Sequence, residues 1–286
     1  MSYFLVEGFA FCNAAGKVTV ASKVTVTDLT HMPTLLSSAQ AGSVILTLNR
    51  PARANAFNFE MTNELQRALT EAETNPQVRC VVITGAGKVF CAGQDIGEMK
   101  KGGSISYREH LNKTYNPLIL QIRKMGKPVI AAVNGACAGA GFGIALACDL
   151  RIAKTTAYFV VGFSGIALAP DSGVSLFLPK YIGLGRAQEY FYTNKKIPAQ
   201  LAYQWGMVNW VGGFNYQRLV RQTAAELARG PREAFAAGKK AFNKAILPNL
   251  EEVLNYEGIL QEQAGKSAEH QEGITAFFEK RTPKFG

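Results

Sequence analysis

From Ser43 onward the chain alternates short apolar runs with longer stretches in which apolar residues recur every three or four positions. Residues 44–48, 78–84 and 129–133 are short and rich in β-branched side chains, the pattern of strands buried on both faces. Helical spacing fills the intervals, over about 58–73, 106–125, 141–148 and 175–182. Residues 150–153 and 158–161 read as further short strands. Strands alternating with helices predict parallel crossovers, so the fold class is α/β. Beyond about Pro198 strand signals fade and helical periodicity dominates, over 199–205, 216–228, 232–244 and 250–264, with a short aromatic helix over 273–278. The apolar surface of this terminal group suits either packing within the chain or a neighbouring subunit. Residues 1–40 differ from the rest, with few charges and many Thr and Ser, and the alternation over 17–26 predicts a strand or hairpin to which no function attaches. Three parts follow: an N-terminal extension over 1–40, an α/β core over 41–197 and a helical region over 198–286.

Two stretches of small residues, Phe90-Cys-Ala-Gly-Gln-Asp95 and Asn134-Gly-Ala-Cys-Ala-Gly-Ala-Gly141, each follow directly on a buried strand. Small residues let a ligand approach the backbone, and two loops with exposed N–H groups can converge on one oxygen as an oxyanion hole. For either loop alone, tight packing of a helix on a sheet is the better explanation of the composition. Their pairing favours chemistry.

The chain has 286 residues and 48% of them are apolar, enough for a substantial core. Its five cysteines form no C-x-x-C pair and their odd number does not suit a disulfide framework. The three histidines, His31, His110 and His270, are far apart in sequence, so no His-based metal site is expected. Neither a secretory signal nor a membrane-spanning run is evident, which makes the cytoplasm the expected compartment. The formal charge of +10 invites a nucleic-acid reading. The basic residues, however, are scattered in ones and twos, so no nucleic-acid partner is expected, and a polyanionic small molecule suits the charge equally well.

The order of Asn49-Arg-Pro51, Asn55-Ala-Phe-Asn58, Phe90–Asp95, Lys127-Pro-Val-Ile-Ala-Ala-Val-Asn-Gly135, Ala145-Leu-Ala-Cys-Asp-Leu-Arg-Ile152 and Leu178-Pro-Lys-Tyr-Ile-Gly183 resembles the crotonase (enoyl-CoA hydratase/isomerase) superfamily, from about Gly42 to Phe285. Within it, Tyr115-Asn-Pro-Leu118, Phe159-Val-Val-Gly-Phe-Ser164, Pro170-Asp-Ser-Gly173, Ala264-Gly-Lys-Ser-Ala268 and the tail from Glu272 are most similar to the 1,2-epoxyphenylacetyl-CoA isomerases of the phenylacetate pathway. The resemblance implies a spiral of ββα repeats, a C-terminal helical region that builds trimers or hexamers, and an acyl-CoA thioester as substrate. No separate cofactor is implied, since coenzyme A is part of that substrate. It places the oxyanion donors on the backbone N–H of Gln94 and Ala140. It lays the CoA moiety along Arg53, Asn55, Ala56, Phe57, Ala92, Asp95 and Ile96, with Lys280 near the phosphates, and the acyl group near Tyr115, Asn116, Phe142 and Phe163.

The two glutamates with which hydratases of this family activate water correspond here to Gly143 and Phe163, so that mechanism lacks both carboxylates. Asp171 is the remaining candidate base. One carboxylate near the acyl chain can take a proton from one carbon and return it to another, as a double-bond shift requires. Read without the resemblance, Pro170-Asp-Ser-Gly173 is a turn leading into a helix cap. Dehalogenases of the family use an aspartate at this position as a nucleophile, with a histidine and a tryptophan where this chain has Asn116 and Phe163. His110, off the matching position, reads as a surface residue. The expected activity is therefore an acyl-CoA isomerase acting through a stabilised enolate, and the alternatives are a decarboxylase- or dehalogenase-like tailoring enzyme or a non-catalytic homologue that binds CoA or RNA.

Overall fold

The computed structural model describes residues 33–101 and 106–286, and the hairpin expected over 17–26 lies outside them. Residues 34–286 form one compact unit. It opens with an antiparallel pair, β1 (Leu35–Gln40) and β2 (Ser43–Leu48), joined at Ala41 and Gly42, both at positive φ. Residues 35–40, assigned to the extension by composition, thus form an edge strand of the core sheet. Their outward polarity is that of an edge: five of the six are exposed.

The following segments are α1 (Phe59–Thr74), β3 (Cys80–Gly85), β4 (Val89–Cys91), α2 (Ile96–Lys101), α3 (Tyr107–Lys113), α4 (Tyr115–Lys124), β5 (Val129–Val133), β6 (Ala136–Ala138), α5 (Gly139–Ala147), β7 (Leu150–Lys154) and β8 (Tyr158–Val160). Strands β3, β5 and β7 run parallel in one sheet, ordered β1-β2-β3-β5-β7. Each hands the chain to a three-residue strand of a second sheet, β4, β6 and β8 in turn, before a helix carries it back. The result is the expected spiral of ββα turns. What read as loops after β3 and β5 therefore each contain a short strand. Asn58 begins α1 by accepting the Met61 N–H on its side chain. The helix expected over 106–125 breaks at Thr114, which terminates α3 and starts α4.

Helices α6 (Val174–Ile182) and α7 (Leu184–Thr193) precede β9 (Ile197–Pro198), which closes the second sheet against β8, and α8 (Ala199–Gln204). Strand signals do not end at Pro198. β10 (Trp210–Gly212) adds a parallel edge to the first sheet beside β7. Four helices end the chain: α9 (Tyr216–Arg229), α10 (Arg232–Ile246), α11 (Leu250–Ala264) and α12 (Ala268–Glu279). α9 packs its apolar face on the first sheet through Tyr216, Val220, Ala224 and Ala228. α5 is apolar all round and buried from Ala140 to Ala147, so it runs through the centre of the molecule. Its C-terminal carbonyls are covered by the buried Arg151, which donates to Cys148 O at 2.6 Å and to Leu146 O at 3.2 Å and stacks on Tyr181.

Candidate active site

A cavity of about 510 Å³ lies where the loops after β4, β6 and β8 meet α3, α11 and α12. The convergence of the first two loops rests on glycine. Gly93 has φ +96°, and a methyl added there would stand 3.1 Å from Ala138 O and 3.5 Å from Ala140 N. At Gly141 a Cβ would meet Cys91 Cβ at 2.6 Å. Close approach of these two backbones is thus what the small residues provide, and it brings Gln94 and Ala140 to one wall of the cavity. Gln94 bridges to Phe57 in parallel fashion: Phe57 N–H donates to Gly93 O at 2.7 Å and Asp95 N–H to Phe57 O at 2.8 Å. The Gln94 N–H faces away from that bridge and has no backbone partner among the described residues. Ala140 stands in the first turn of α5, where N–H groups lack helical acceptors and no side chain caps them. Gln94 and Ala140 thus both line the cavity, with the N-terminal end of α5 and its favourable dipole at the same wall.

The Gln94 side chain is fixed from behind. Its Nε2 donates to Asp95 O at 3.3 Å, which leaves Oε1 to accept from His110 Nε2 at 2.8 Å and from the Tyr115 hydroxyl. His110 is thereby assigned the Nε2–H tautomer, and burial pushes its pKa down to about 4, so it stays neutral near pH 7. Its place is the cavity wall and not the surface. Position alone hid this, because the partner of His110 lies on another loop.

Asp171 lines the cavity and is 6% exposed. The turn is real, with Ser172 at φ 55° and Gly173 at φ 76°, yet Asp171 is not its cap. Glu257 of α11 takes that role, accepting from Gly173 N–H at 2.8 Å and from Ser175 N–H at 3.1 Å. The Asp171 carboxylate is thereby left free of capping. Oδ1 accepts from the Ser172 hydroxyl at 2.6 Å and Oδ2 from Gln261 Nε2 at 2.5 Å. Burial pushes its pKa up to about 6 against those two hydrogen bonds, and burial likewise lifts Glu257 to about 7. The other carboxylate of the cavity wall, Asp95, is committed elsewhere. It pairs with Arg50 at 2.9 Å and accepts the Gly97 N–H of α2 at 3.1 Å.

Of the proposed CoA contacts, Arg53, Ala56, Ala92, Asp95 and Ile96 line the cavity. Asn55 does not. It is buried at φ 53° and spends its side chain on Ala86 O and Val89 O, holding the turn that presents Arg53 and Ala56. Phe57 is fully buried against Tyr115. Lys280 is the exposed, left-handed residue that ends α12 and is not on the cavity wall. In its stead α12, longer than the expected 273–278, brings Ile274, Phe277 and Phe278 to the wall. Among the acyl-pocket candidates Tyr115 and Phe163 line the cavity, whereas Phe142 packs on Phe159 inside the core. Asn116 turns away to Asn112 and Leu254 O. Among the described residues no group of His, Cys, Asp and Glu is placed to hold a metal ion.

The sequence matches the Enoyl-CoA hydratase/isomerase family over residues 38–286. The chain belongs to the enoyl-CoA hydratase/isomerase family. It is 39% identical to a 1,2-epoxyphenylacetyl-CoA isomerase of Escherichia coli, over 89% of this chain and 98% of that protein. It is 42% identical to a probable enoyl-CoA hydratase of Rhodobacter capsulatus, over 85% of this chain and 94% of the relative. The structure of an enoyl-CoA hydratase from Mycobacterium avium subsp. paratuberculosis superposes with a TM-score of 0.81 at 34% identity, covering 88% of this chain and 98% of that one. Relatives with different activities thus share the fold, and the residues at the cavity must distinguish among enoyl-CoA hydratase/isomerase chemistries. Gly143 is informative here. A Cβ on it would lie 2.5 Å from Ser172 Cβ and closer still to Ser172 O, so the loop that carries Asp171 fills the space a side chain would need.

Proposed function

We propose that the protein is an acyl-CoA isomerase that shifts a double bond through an enolate held by the Gln94 and Ala140 N–H groups, with Asp171 as the base. The reading rests chiefly on one observation: Asp171 is the one cavity carboxylate among the described residues that is free of structural ion pairing or capping. Asp171 takes a proton from the carbon next to the thioester carbonyl, the electron pair moves onto the carbonyl oxygen, and the protonated carboxyl returns the proton two carbons further along. A carboxyl lifted to about 6 is matched to both halves of that exchange near neutral pH. Water addition by two carboxylates has no support, since Gly143 and Phe163 stand in their places. The wall offered by Tyr107, Tyr115, Phe163, Phe277 and Phe278 favours a ring-bearing or unsaturated acyl group, and a ring-1,2-epoxyphenylacetyl thioester is the substrate to try after simple enoyl chains. The exposed Phe242 and Ile246 of α10 support assembly into a trimer or hexamer. A 3-enoyl-CoA assayed for its 2-enoyl isomer, beside a 2-enoyl-CoA assayed for hydration, tests the reading. Isomerisation without hydration is expected; hydration at a comparable rate would refute it.

A further inference from the structure

The base is held from the C-terminal region by a residue that no loop motif announces. Glu257 and Gln261 lie one turn apart on α11, so they present one face to the loop of Asp171. Glu257 fixes the backbone after the aspartate. Gln261, 1% exposed and on the cavity wall, places its Nε2–H 2.5 Å from Asp171 Oδ2. The other end of the same amide is unusual: Gln261 Oε1 is buried with no hydrogen-bond partner. A buried acceptor without a partner is costly, and such a group near a reacting carboxyl calls for a donor that arrives during the reaction.

We propose that Gln261 is the positioning residue for the base, donating through Nε2 to Asp171 when it is ionised and, after a half-turn of the amide, accepting through Oε1 from the Asp171 hydroxyl when it is protonated. This deepens the isomerase reading and rests on it. The proton balance is simple. A C–H bond breaks and an O–H bond forms on Asp171, its electron pair going to the thioester oxygen; then the O–H breaks as the new C–H forms. Gln261 supplies no proton and touches no carbon. It keeps the carboxyl in one plane through both states and offsets part of the cost of burying its charge, the lowering influence that its hydrogen bond already exerts on Asp171. Among the described residues, the other titratable groups toward Asp171 are Glu257 from α11, Tyr107 and the neutral His110 from α3, and Tyr115 from α4, and all are neutral or acidic. With no cation among them, the donors Gln261 and Ser172 are what hold the ionised form.

The test is the acid titration of Asp171 followed by carboxyl infrared spectroscopy, with the Asp171→Asn protein as the blank, in the parent and in Gln261→Leu. Gln261→Met, closer in shape, replaces Leu if that variant does not fold, and thermal melting checks each. In the parent the midpoint is expected near 6. In the variant it moves about one pH unit higher, because the charge-assisted bond to the ionised form lost with Gln261 is stronger than the neutral bond to the protonated form lost with it. The acid limb of kcat/KM for isomerisation moves with it, and kcat falls roughly 10²-fold while KM changes little. A folded variant whose Asp171 midpoint and pH profile stay put would overturn the proposal. The titration needs no turnover, so a shifted midpoint in a protein that isomerises nothing would support the role of Gln261 and count against the isomerase reading alone.

Discussion

Replacing Asp171 by Asn is expected to abolish isomerisation, by roughly 10²–10⁴-fold in kcat, while acyl-CoA binding is retained and the protein becomes more stable at neutral pH. The first effect follows from removal of the proposed base in a cavity whose other carboxylate among the described residues, Asp95, is tied to Arg50. Binding is retained because the N–H groups of Gln94 and Ala140, proposed to hold the thioester oxygen, are backbone groups that the substitution leaves in place. The stability gain follows from linkage. The folded-state pKa of about 6 lies above the ordinary value of 3.8, so between these values the native protein binds more protons than the unfolded chain. Stability from this group is present below pH 3.8 and is lost as pH rises through about 6. At pH 7 the ionised, buried aspartate therefore costs at most on the order of 2–3 kcal/mol, which an amide of the same shape avoids. Isothermal titration with a non-reactive acyl-CoA, steady-state assays and urea unfolding at pH 5 and pH 8 read the three effects. Undiminished turnover in the variant would remove Asp171 from the mechanism.

Gly143 carries the second large effect. Gly143→Ala is expected to lose about 2–3 kcal/mol of stability, the range for overfilling a packed interior, because the added methyl meets the Ser172 backbone and side chain. Isomerase activity should fall with it, since Ser172 and Asp171 must move together. Gly143→Glu, which restores a carboxylate at the position hydratases use, is expected to yield no hydratase and little folded protein. Urea midpoints and the two enoyl-CoA assays check this; a stable Gly143→Glu protein that hydrates 2-enoyl-CoA would show that the loop can yield.

Much of the site was legible in the sequence because its signals are local. Two runs of small residues after buried strands predict two converging backbones, and the structure brings Gln94 and Ala140 together through Gly93 and Gly141. Asp171 was legible only through the resemblance to the crotonase superfamily, because its segment read alone is a turn leading into a helix cap. What the sequence hid depends on long-range pairing. Gln261 reaches Asp171 across 90 positions and Glu257 reaches Gly173 across 84, and nothing in the periodicity of α11 separates them from ordinary polar residues of a helix face. Side-chain direction was hidden for the same reason. Asn55, Phe57, Asn116 and Phe142 belong to the right segments, but burial turns each toward the core or its own loop. Strands of three residues, such as β4, β6 and β10, are too short to show a period, and β1, at an edge, packs only Leu35 against the core.

In the proposed reaction one shielded carboxylate, Asp171, carries a proton from carbon to carbon. A 3-enoyl-CoA bearing deuterium at the carbon next to the carbonyl, converted in ordinary water and read by mass spectrometry, tests it most directly. A buried Asp171 that returns what it takes predicts a 2-enoyl product in which part of the label has moved two carbons along the chain, and no product from Asp171→Asn. A product from which all transferred label has been lost to water, or one formed equally well without the aspartate, would rule out proton return by Asp171.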